Sequence, residues 1–128
     1  IYGIAENIPP LIKALRIQKK VKNFGFDWEN SSQVLKKIDE ELTELKEELR
    51  KKNNTDKIEN EIGDLIFSVL NLARFIDIDP EKSLEKTNKK FIRRFTAMES
   101  MITKEKKSLN KMSLKQMDFY WEKAKKNE

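Results

Sequence analysis

The sequence has 128 residues, which is enough for one domain with one hydrophobic core. Charged residues make up 38% of it, and the formal net charge is +5. It contains no histidine and no cysteine, which excludes Ser-His-Asp and Cys-His catalysis, disulfides and standard zinc sites. Any bound metal must therefore have oxygen ligands, as Mg²⁺, Mn²⁺ and Ca²⁺ do.

The sequence has no apolar stretch long enough to span a membrane and no recognisable signal peptide. We therefore expect a cytoplasmic protein that does not associate with membranes. Because Ile1 is not an initiator methionine, we expect the chain to be an excerpt of a longer one. Residues 1–128 are predicted to form a single domain.

Turn and capping residues divide the chain into five predicted helices. The first predicted helix starts at Pro9–Pro10 and ends near residue 23. The other four span about 33–52, 57–77, 80–107 and 114–126. The predicted cap residues are Ser31 or Ser32, Asp56 with Glu59, Asp79, and Ser113 with Gln116. No segment alternates with the period of two that a strand requires. The predicted fold is therefore an all-α bundle of four to five helices.

Apolar residues recur at spacings of three and four along the second and third predicted helices, so each helix has one apolar face. These residues are Leu35, Ile38, Leu42, Leu45, Leu49, Ile58, Ile62, Leu65, Val69, Leu72 and Ile76. A short turn at 53–54 makes the two helices an antiparallel hairpin. After the first helix, we expect Phe24, Phe26 and Trp28 to pack in the core rather than to stack on a ligand.

An internal repeat links the two helices of this hairpin. The segment Lys37–Leu45 resembles Lys57–Leu65, 20 residues later. Each copy carries a lysine, an acid four residues on and a second acid three further: Lys37, Glu41 and Glu44, then Lys57, Glu61 and Asp64. Residues three and four apart share a helix face. At about 1.5 Å rise per residue, both acid pairs lie at the same distance from the turn, so four carboxylates should converge beside the helix–helix seam.

Four converging carboxylates repel one another strongly unless a cation lies among them. Hard divalent cations, which prefer several carboxylate oxygens, are the usual solution. The alternative is an ordinary solvated helix with Lys–Glu pairs. The second copy argues against that alternative, because Asp64 follows Gly63 inside an otherwise apolar run, where both residues are unfavourable in a helix.

The acidic pattern also has a known counterpart. Glu40-Glu41-Leu-Thr-Glu44 followed by Glu61-Ile-Gly-Asp64 resembles the EExxE…ExxD signature of the MazG family of nucleoside triphosphate pyrophosphohydrolases. Further segments that resemble the family are residues 17–28, 71–74 and 88–95 and Trp121. The last two features resemble most the second domain of the long bacterial form. One departure is Asn60, where the family pattern has an acid outside the metal positions.

The resemblance implies Mg²⁺-dependent hydrolysis of nucleoside triphosphates to nucleoside monophosphates and pyrophosphate, with Mn²⁺ as an alternative ion. It also implies the all-α NTP pyrophosphatase fold, with helices of a homodimer in one bundle, and we expect broad base acceptance. The implied metal ligands are Glu41, Glu44, Glu61 and Asp64. The implied substrate contacts are Lys37, Glu40, Lys57, Lys90, Arg94 and Trp121. Because the chain lacks histidine, the proton of the attacking water must go to a carboxylate or be lost from metal-activated water, and Glu40 is the candidate carboxylate.

Two other functions compete with this interpretation. The basic C-terminal third favours a helical nucleic-acid-binding module, but a binder of phosphate backbones gains nothing from converging acids. A purely structural bundle partner would instead use the apolar faces as its interface. Lys90 and Arg94 also fit an ordinary basic surface, and Trp121 also fits a packing role for the last helix.

Overall fold

A computed structural model describes residues 3–128, so Ile1 and Tyr2 lie outside the described residues. The helices are α1 (Pro10–Lys22), α2 (Ser31–Leu49), α3 (Thr55–Phe75), α4 (Pro80–Lys104) and α5 (Leu114–Lys126), with a short 3-10 turn at Leu109–Lys111. The all-α prediction is confirmed, and the helix bounds lie within a few residues of the predicted ones. Within the described range, none of the helices combines the length and the hydrophobicity of a membrane span.

The start of α2 differs from the prediction. Asn30 caps this helix, because its side-chain oxygen accepts the backbone N–H of Gln33 at 3.0 Å. Asn30 has the extended backbone that a cap requires (φ −154°, ψ 165°), whereas Ser31 and Ser32 already lie inside the helix. The predicted serine cap was therefore wrong by one residue.

The predicted caps of α5 and α3 have opposite outcomes. Ser113 and Gln116 form the predicted capping box at α5, in which each side chain accepts the other residue's backbone N–H, at 3.2 and 2.9 Å. At α3, Asn54 is the cap position and provides no side-chain cap bond, so the predicted cap by Asp56 with Glu59 was wrong. Asp56 lies in the first turn of α3 instead, where its negative charge interacts favourably with the positive end of the helix dipole.

The turn between α2 and α3 closes the predicted hairpin. Asn53 adopts a left-handed backbone (φ 58°), which asparagine tolerates better than most residues. The amide of Asn54 donates to the Glu48 backbone oxygen at 2.6 Å and to Glu48 Oε2 at 2.7 Å. Lys51 Nζ pairs with Glu48 Oε1 at 3.1 Å. These bonds fix the turn, and α2 and α3 pack along each other, with α1 packed against α3.

The chain divides into two units, of which the first ends at Pro80 and the second runs from Glu81 to Glu128. Among residues 3–80 few are buried: Ala14, Gln18, Val34, Glu41, Ser68 and Leu70. Much of the predicted apolar stripe is exposed, namely Leu35, Leu42, Leu49, Ile62, Val69 and Ile76. The second unit has a buried cluster of Met98, Ile102 and Tyr120. Lys107 Nζ donates a 3.0 Å hydrogen bond to the hydroxyl of Tyr120.

The loop after α1 contradicts one expectation about the core. Phe24 and Phe26 are 77% and 79% exposed, so they are not core residues. They flank Gly25, whose left-handed backbone (φ 87°) lets the chain turn at the surface. Trp28, further along the loop, is half-buried.

Candidate active site

Three carboxylates meet where α2 packs against α3. Glu41 of α2 and Glu61 and Asp64 of α3 each place one oxygen within 4.8 Å of the others. We refer to these residues as the three-carboxylate cluster. Because the two acid pairs lie equally far from the turn, the hairpin brings them to the same height, as the repeat predicts. Glu41 is buried, Glu61 is half-buried and Asp64 is exposed, so the cluster opens from the helix interface toward solvent.

Glu41 is the most buried member of the cluster, with 5% of the residue exposed. Its Oε1 accepts an ion-pair contact from Lys37 Nζ at 2.9 Å. The hydrogen bond to Glu41, together with its charge, raises the pKa of Lys37 and keeps the ammonium protonated. Glu41 Oε2 is buried without a hydrogen-bond partner among residues 3–128. Such an atom is costly unless a ligand satisfies it.

Glu61, on α3, is the half-buried member of the cluster. Its Oε2 is likewise buried and unpartnered within the described part of the chain. Desolvation raises the pKa of Glu61, followed by a hydrogen bond with Glu44 and by the charges of Glu44, Asp64 and Glu41. Glu44 therefore influences the pKa of Glu61, but the structure does not bring its oxygens together with the three that converge. Two buried acceptors beside an exposed carboxylate fit a hard divalent cation.

The two lysines of the repeat have unequal environments. Lys37 contacts Glu41 and lies 3.9 Å from Glu40, which is 53% exposed on its side chain. Lys57 is exposed and forms no ion pair with Glu61 in the described residues; its charge acts on Glu48 of the turn instead. The repeat therefore predicts the positions of the acids better than the partners of the lysines.

The remaining predicted substrate residues belong to the second unit. Arg94 donates from Nε and Nη2 to the two carboxylate oxygens of Glu128, at 2.9 and 3.0 Å. Lys90 is exposed. Trp121 is half-buried, and its ring lies 5.0 Å from that of Phe91, so its packing role is visible in the structure. No local sequence pattern indicates either partner, because both contacts join residues about 30 positions apart along the chain.

Two further features, one on α1 and one joining the loop after α1 to α3, were not predicted from the sequence. Gln18 is 3% exposed, and Arg74 pairs with Asp27 through a 2.6 Å contact. That hydrogen bond, with further help from the positive charge, lowers the pKa of Asp27 against the opposing effect of burial. The only sequence signal for Gln18 is its position four residues after Ala14, on the buried side of α1.

The family comparison agrees with this geometry. The model of the MazG nucleotide pyrophosphohydrolase domain matches residues 29–98, more than half of the chain and all three members of the cluster. The chain belongs to the MazG nucleotide pyrophosphohydrolase family. The resemblance predicted from the acidic pattern is therefore confirmed.

Two relatives are similar over most of the chain. One, from Thermotoga maritima, is named nucleoside triphosphate pyrophosphohydrolase/pyrophosphatase MazG; it is 44% identical over 92% of this chain and 45% of its own length. The other, from Escherichia coli, is named nucleoside triphosphate pyrophosphohydrolase; it is 36% identical over 98% of this chain and 48% of its own length. The chain thus spans about half the length of these relatives.

The electrostatic strain in the cluster leads to a prediction for the metal-free protein. Because the pKa of Glu61 is raised above 4.5 in the folded state, ionisation of Glu61 destabilises the fold. The stabilisation that the protonated Glu61 provides is fully present below about pH 4.5 and is lost as the pH rises through the raised pKa. In EDTA, Glu61→Gln should therefore raise the melting temperature at neutral pH and change it little at pH 4.

The matched control is Glu59→Gln, an exposed acid of the same helix, which should have little effect at either pH. Thermal unfolding followed by circular dichroism measures both variants. A melting temperature of Glu61→Gln that equals or falls below the wild-type value at neutral pH would contradict the predicted repulsion.

Proposed function

We propose that this chain hydrolyses nucleoside triphosphates to nucleoside monophosphates and pyrophosphate, using a divalent cation at the three-carboxylate cluster. The observation that carries the proposal is the pair of buried, unpartnered oxygens, Glu41 Oε2 and Glu61 Oε2, within the described residues. Membership of the MazG family and the names of the two relatives support the same reaction.

The proposed ligands are the oxygens of Glu41, Glu61 and Asp64. Glu44, which the family resemblance also implies, is proposed as a fourth ligand. An all-oxygen site without nitrogen or sulfur donors suits Mg²⁺, with Mn²⁺ as an alternative. The ion would supply charge neutralisation for the phosphate oxygens and a lower pKa for a coordinated water. Lys37 holds Glu41 in place by occupying its other oxygen.

Further roles are assigned to residues outside the cluster. Glu40 is exposed beside Glu41, and we assign it the role of general base toward the attacking water. Lys37 and Lys57 would contribute positive charge for the triphosphate. On the family resemblance, the substrate contacts of the second unit are Lys90, Arg94 and Trp121. Broad base acceptance, like a cytoplasmic location, stays a prediction.

The first test measures which phosphate product is released. Wild-type protein should release pyrophosphate, and no orthophosphate, from a panel of nucleoside and deoxynucleoside triphosphates with Mg²⁺, and nothing with EDTA. Asp64→Asn and Glu41→Gln should abolish the reaction because each removes a charged ligand oxygen. Circular dichroism should show that both variants remain folded.

Glu59→Gln is the control for this experiment, since it removes an exposed acid of the same helix outside the cluster. Its activity should equal that of the wild type. Full activity of Asp64→Asn, or full activity in EDTA, would overturn the assignment of the cluster.

A second prediction concerns Arg94, which the resemblance assigns to the substrate and which Glu128 holds in the structure. Charge-assisted hydrogen bonds contribute roughly 1.5–3 kcal/mol. Arg94→Ala should therefore lower kcat/KM by about one to two decades. Arg93 also pairs with Glu128, at 3.4 Å, so Arg93→Ala is the matched control and should leave kcat/KM nearly unchanged. Equal losses in both variants would reduce Arg94 to a structural partner of Glu128.

We also propose that the chain forms a homodimer through the first unit. Large apolar side chains remain exposed on α2 and α3, among them Leu35 at 51%, Leu49 at 60% and Ile66 at 52%. Soluble monomers rarely expose so much apolar surface together. A second copy has the same apolar faces, so the two could cover each other. This proposal also agrees with the two-chain bundle that the family resemblance implies.

The dimer proposal predicts a single molecular mass by light scattering, twice that of the chain, at micromolar concentration. Ile66→Asp should shift the protein toward monomer, because a charge in an apolar interface is costly. Ile92→Asp, at a 64% exposed position in the second unit, is the control and should keep the dimer. An active wild-type monomer would contradict the proposal.

The nucleic-acid-binding alternative is less well supported. Its main argument is the excess of positive charge, whereas the converging carboxylates of the first unit would repel a phosphate backbone.

A further inference from the structure

The second unit contains a surface cavity of about 490 Å³ beside the segment that joins α4 to α5. Lys106, Lys107 and Lys111 line it together with two aromatic side chains, Phe119 and Tyr120, and no acidic residue of the described chain lines it. The volume is within the range of sites for small molecules. None of the residues assigned to the three-carboxylate cluster or to the substrate lines this cavity, so the proposed function gives it no role.

The three lysines bring positive charge into the cavity without acidic partners. None of the ion pairs within residues 3–128 involves them. Lys107 Nζ donates instead to the hydroxyl of Tyr120 at 3.0 Å, and Tyr120 is buried, so a packed side chain holds this ammonium group in place. Like charges gathered in one cavity repel one another, and a bound anion removes that repulsion.

Lys106 also has an unfavourable backbone conformation. Its φ is 58°, in the left-handed region. Its N–H donates to the carbonyl of Thr103 at 3.0 Å, and the N–H of Lys107 donates to that of Ile102 at 3.1 Å, which is the bond pair of a Schellman motif at the end of α4. Glycine is the usual residue at this position because it has no Cβ. The chain therefore accepts a conformational cost that glycine would avoid, and it places an ammonium group at the cavity.

The helix dipole explains only part of this positive charge. Cations near the carboxyl end of α4 interact favourably with the dipole, but that end is equivalent to about half an elementary charge. Two of its last carbonyls are already satisfied by the Schellman bonds. Lys111 lies beyond the helix, in the 3-10 turn. Gln116, in the first turn of α5, also lines the cavity, so the positive end of a second dipole adds to the charge of the lysines.

We propose that this cavity binds an oligophosphate anion with at least two phosphate groups, held by Lys106, Lys107 and Lys111. Lysine binds phosphate as a point charge. One phosphate group carries a charge of about −1.5 to −2 at pH 7, which is less than the charge of three ammonium groups. Inorganic pyrophosphate and the diphosphate part of a nucleotide share this chemistry. The site needs no divalent cation and is therefore independent of the proposed function.

The test is a titration of the wild-type chain with pyrophosphate in EDTA at constant physiological ionic strength, followed by two-dimensional NMR of the backbone amides. Signals of residues 106–112 should shift saturably. Lys106→Gly and Lys111→Gln should each raise the dissociation constant about five- to tenfold, because each removes one charged contact. No saturable shift in this segment of the wild type would overturn the proposal.

The matched control is Lys115→Gln, which removes an exposed positive charge of α5 that does not line the cavity. Its dissociation constant should stay within about twofold of the wild-type value, because salt screens charges outside the site. An equal loss of affinity in Lys115→Gln and Lys111→Gln would show general attraction to a basic surface and would overturn the proposal.

The melting temperature of Lys106→Gly gives a second readout. Without an anion, this variant should melt about 2–5 °C above the wild type, because glycine adopts the left-handed conformation readily. Saturating pyrophosphate should raise the melting temperature of the wild type more than that of the variant. A variant that melts below the wild type without an anion would show that Lys106 serves the fold and would overturn its assignment to the anion.

Parallel titrations identify the source of the diphosphate group. Orthophosphate should bind at least about fivefold more weakly than pyrophosphate, and equal binding would overturn the requirement for two phosphate groups. Tighter binding of ADP than of pyrophosphate would support the proposal with a nucleotide as the ligand. Tighter binding of pyrophosphate would support it with the free anion as the ligand, and binding of neither would overturn it.

Discussion

The organisation of the first unit depends on the repulsion among carboxylates that the fold brings together. Glu41, Glu61 and Asp64 place oxygens within 4.8 Å of one another, and two of these residues carry a buried oxygen without a partner in the described chain. A folded protein accepts such a cost where function compensates for it. Lys37 offsets the charge of Glu41, and desolvation, followed by the nearby Glu44, raises the pKa of Glu61. Neither effect fully compensates the repulsion, and this agrees with the divalent cation that we propose for the site.

This arrangement depends in turn on the α2–α3 hairpin. The carboxylates lie on the middle of two long helices, so their spacing is set by helix geometry and by the turn rather than by flexible loops. The left-handed Asn53 and the bonds from Asn54 to Glu48 fix where α3 starts relative to α2. One residue inserted into α3 before Glu61 would rotate Glu61 and Asp64 by about 100° relative to the start of the helix. The turn, although distant from the chemistry, therefore determines the site.

The sequence predicted what depends on helix periodicity and missed what depends on tertiary contacts. The five helices follow from apolar spacing and turn residues, and the convergence of Glu41, Glu61 and Asp64 follows from a repeat centred on the turn. The orphaned Gln18 oxygen depends on the backbone of Phe67, 49 residues away, and no local pattern encodes that contact. The same reason explains why Glu128 was missed as the partner of Arg94. The cap of α2 was misplaced because Asn30, Ser31 and Ser32 are all good caps, and only the backbone conformation decides among them.

We propose that the three-carboxylate cluster holds a divalent cation. The most direct test of this proposal is a crystal grown or soaked with Mn²⁺ and measured for anomalous scattering, with Glu61→Gln crystals treated identically. The account predicts an anomalous peak coordinated by oxygens of Glu41, Glu61 and Asp64 in the wild type and a much weaker peak in the variant. A wild-type map with no peak at the cluster, or an equal peak in Glu61→Gln, would contradict it.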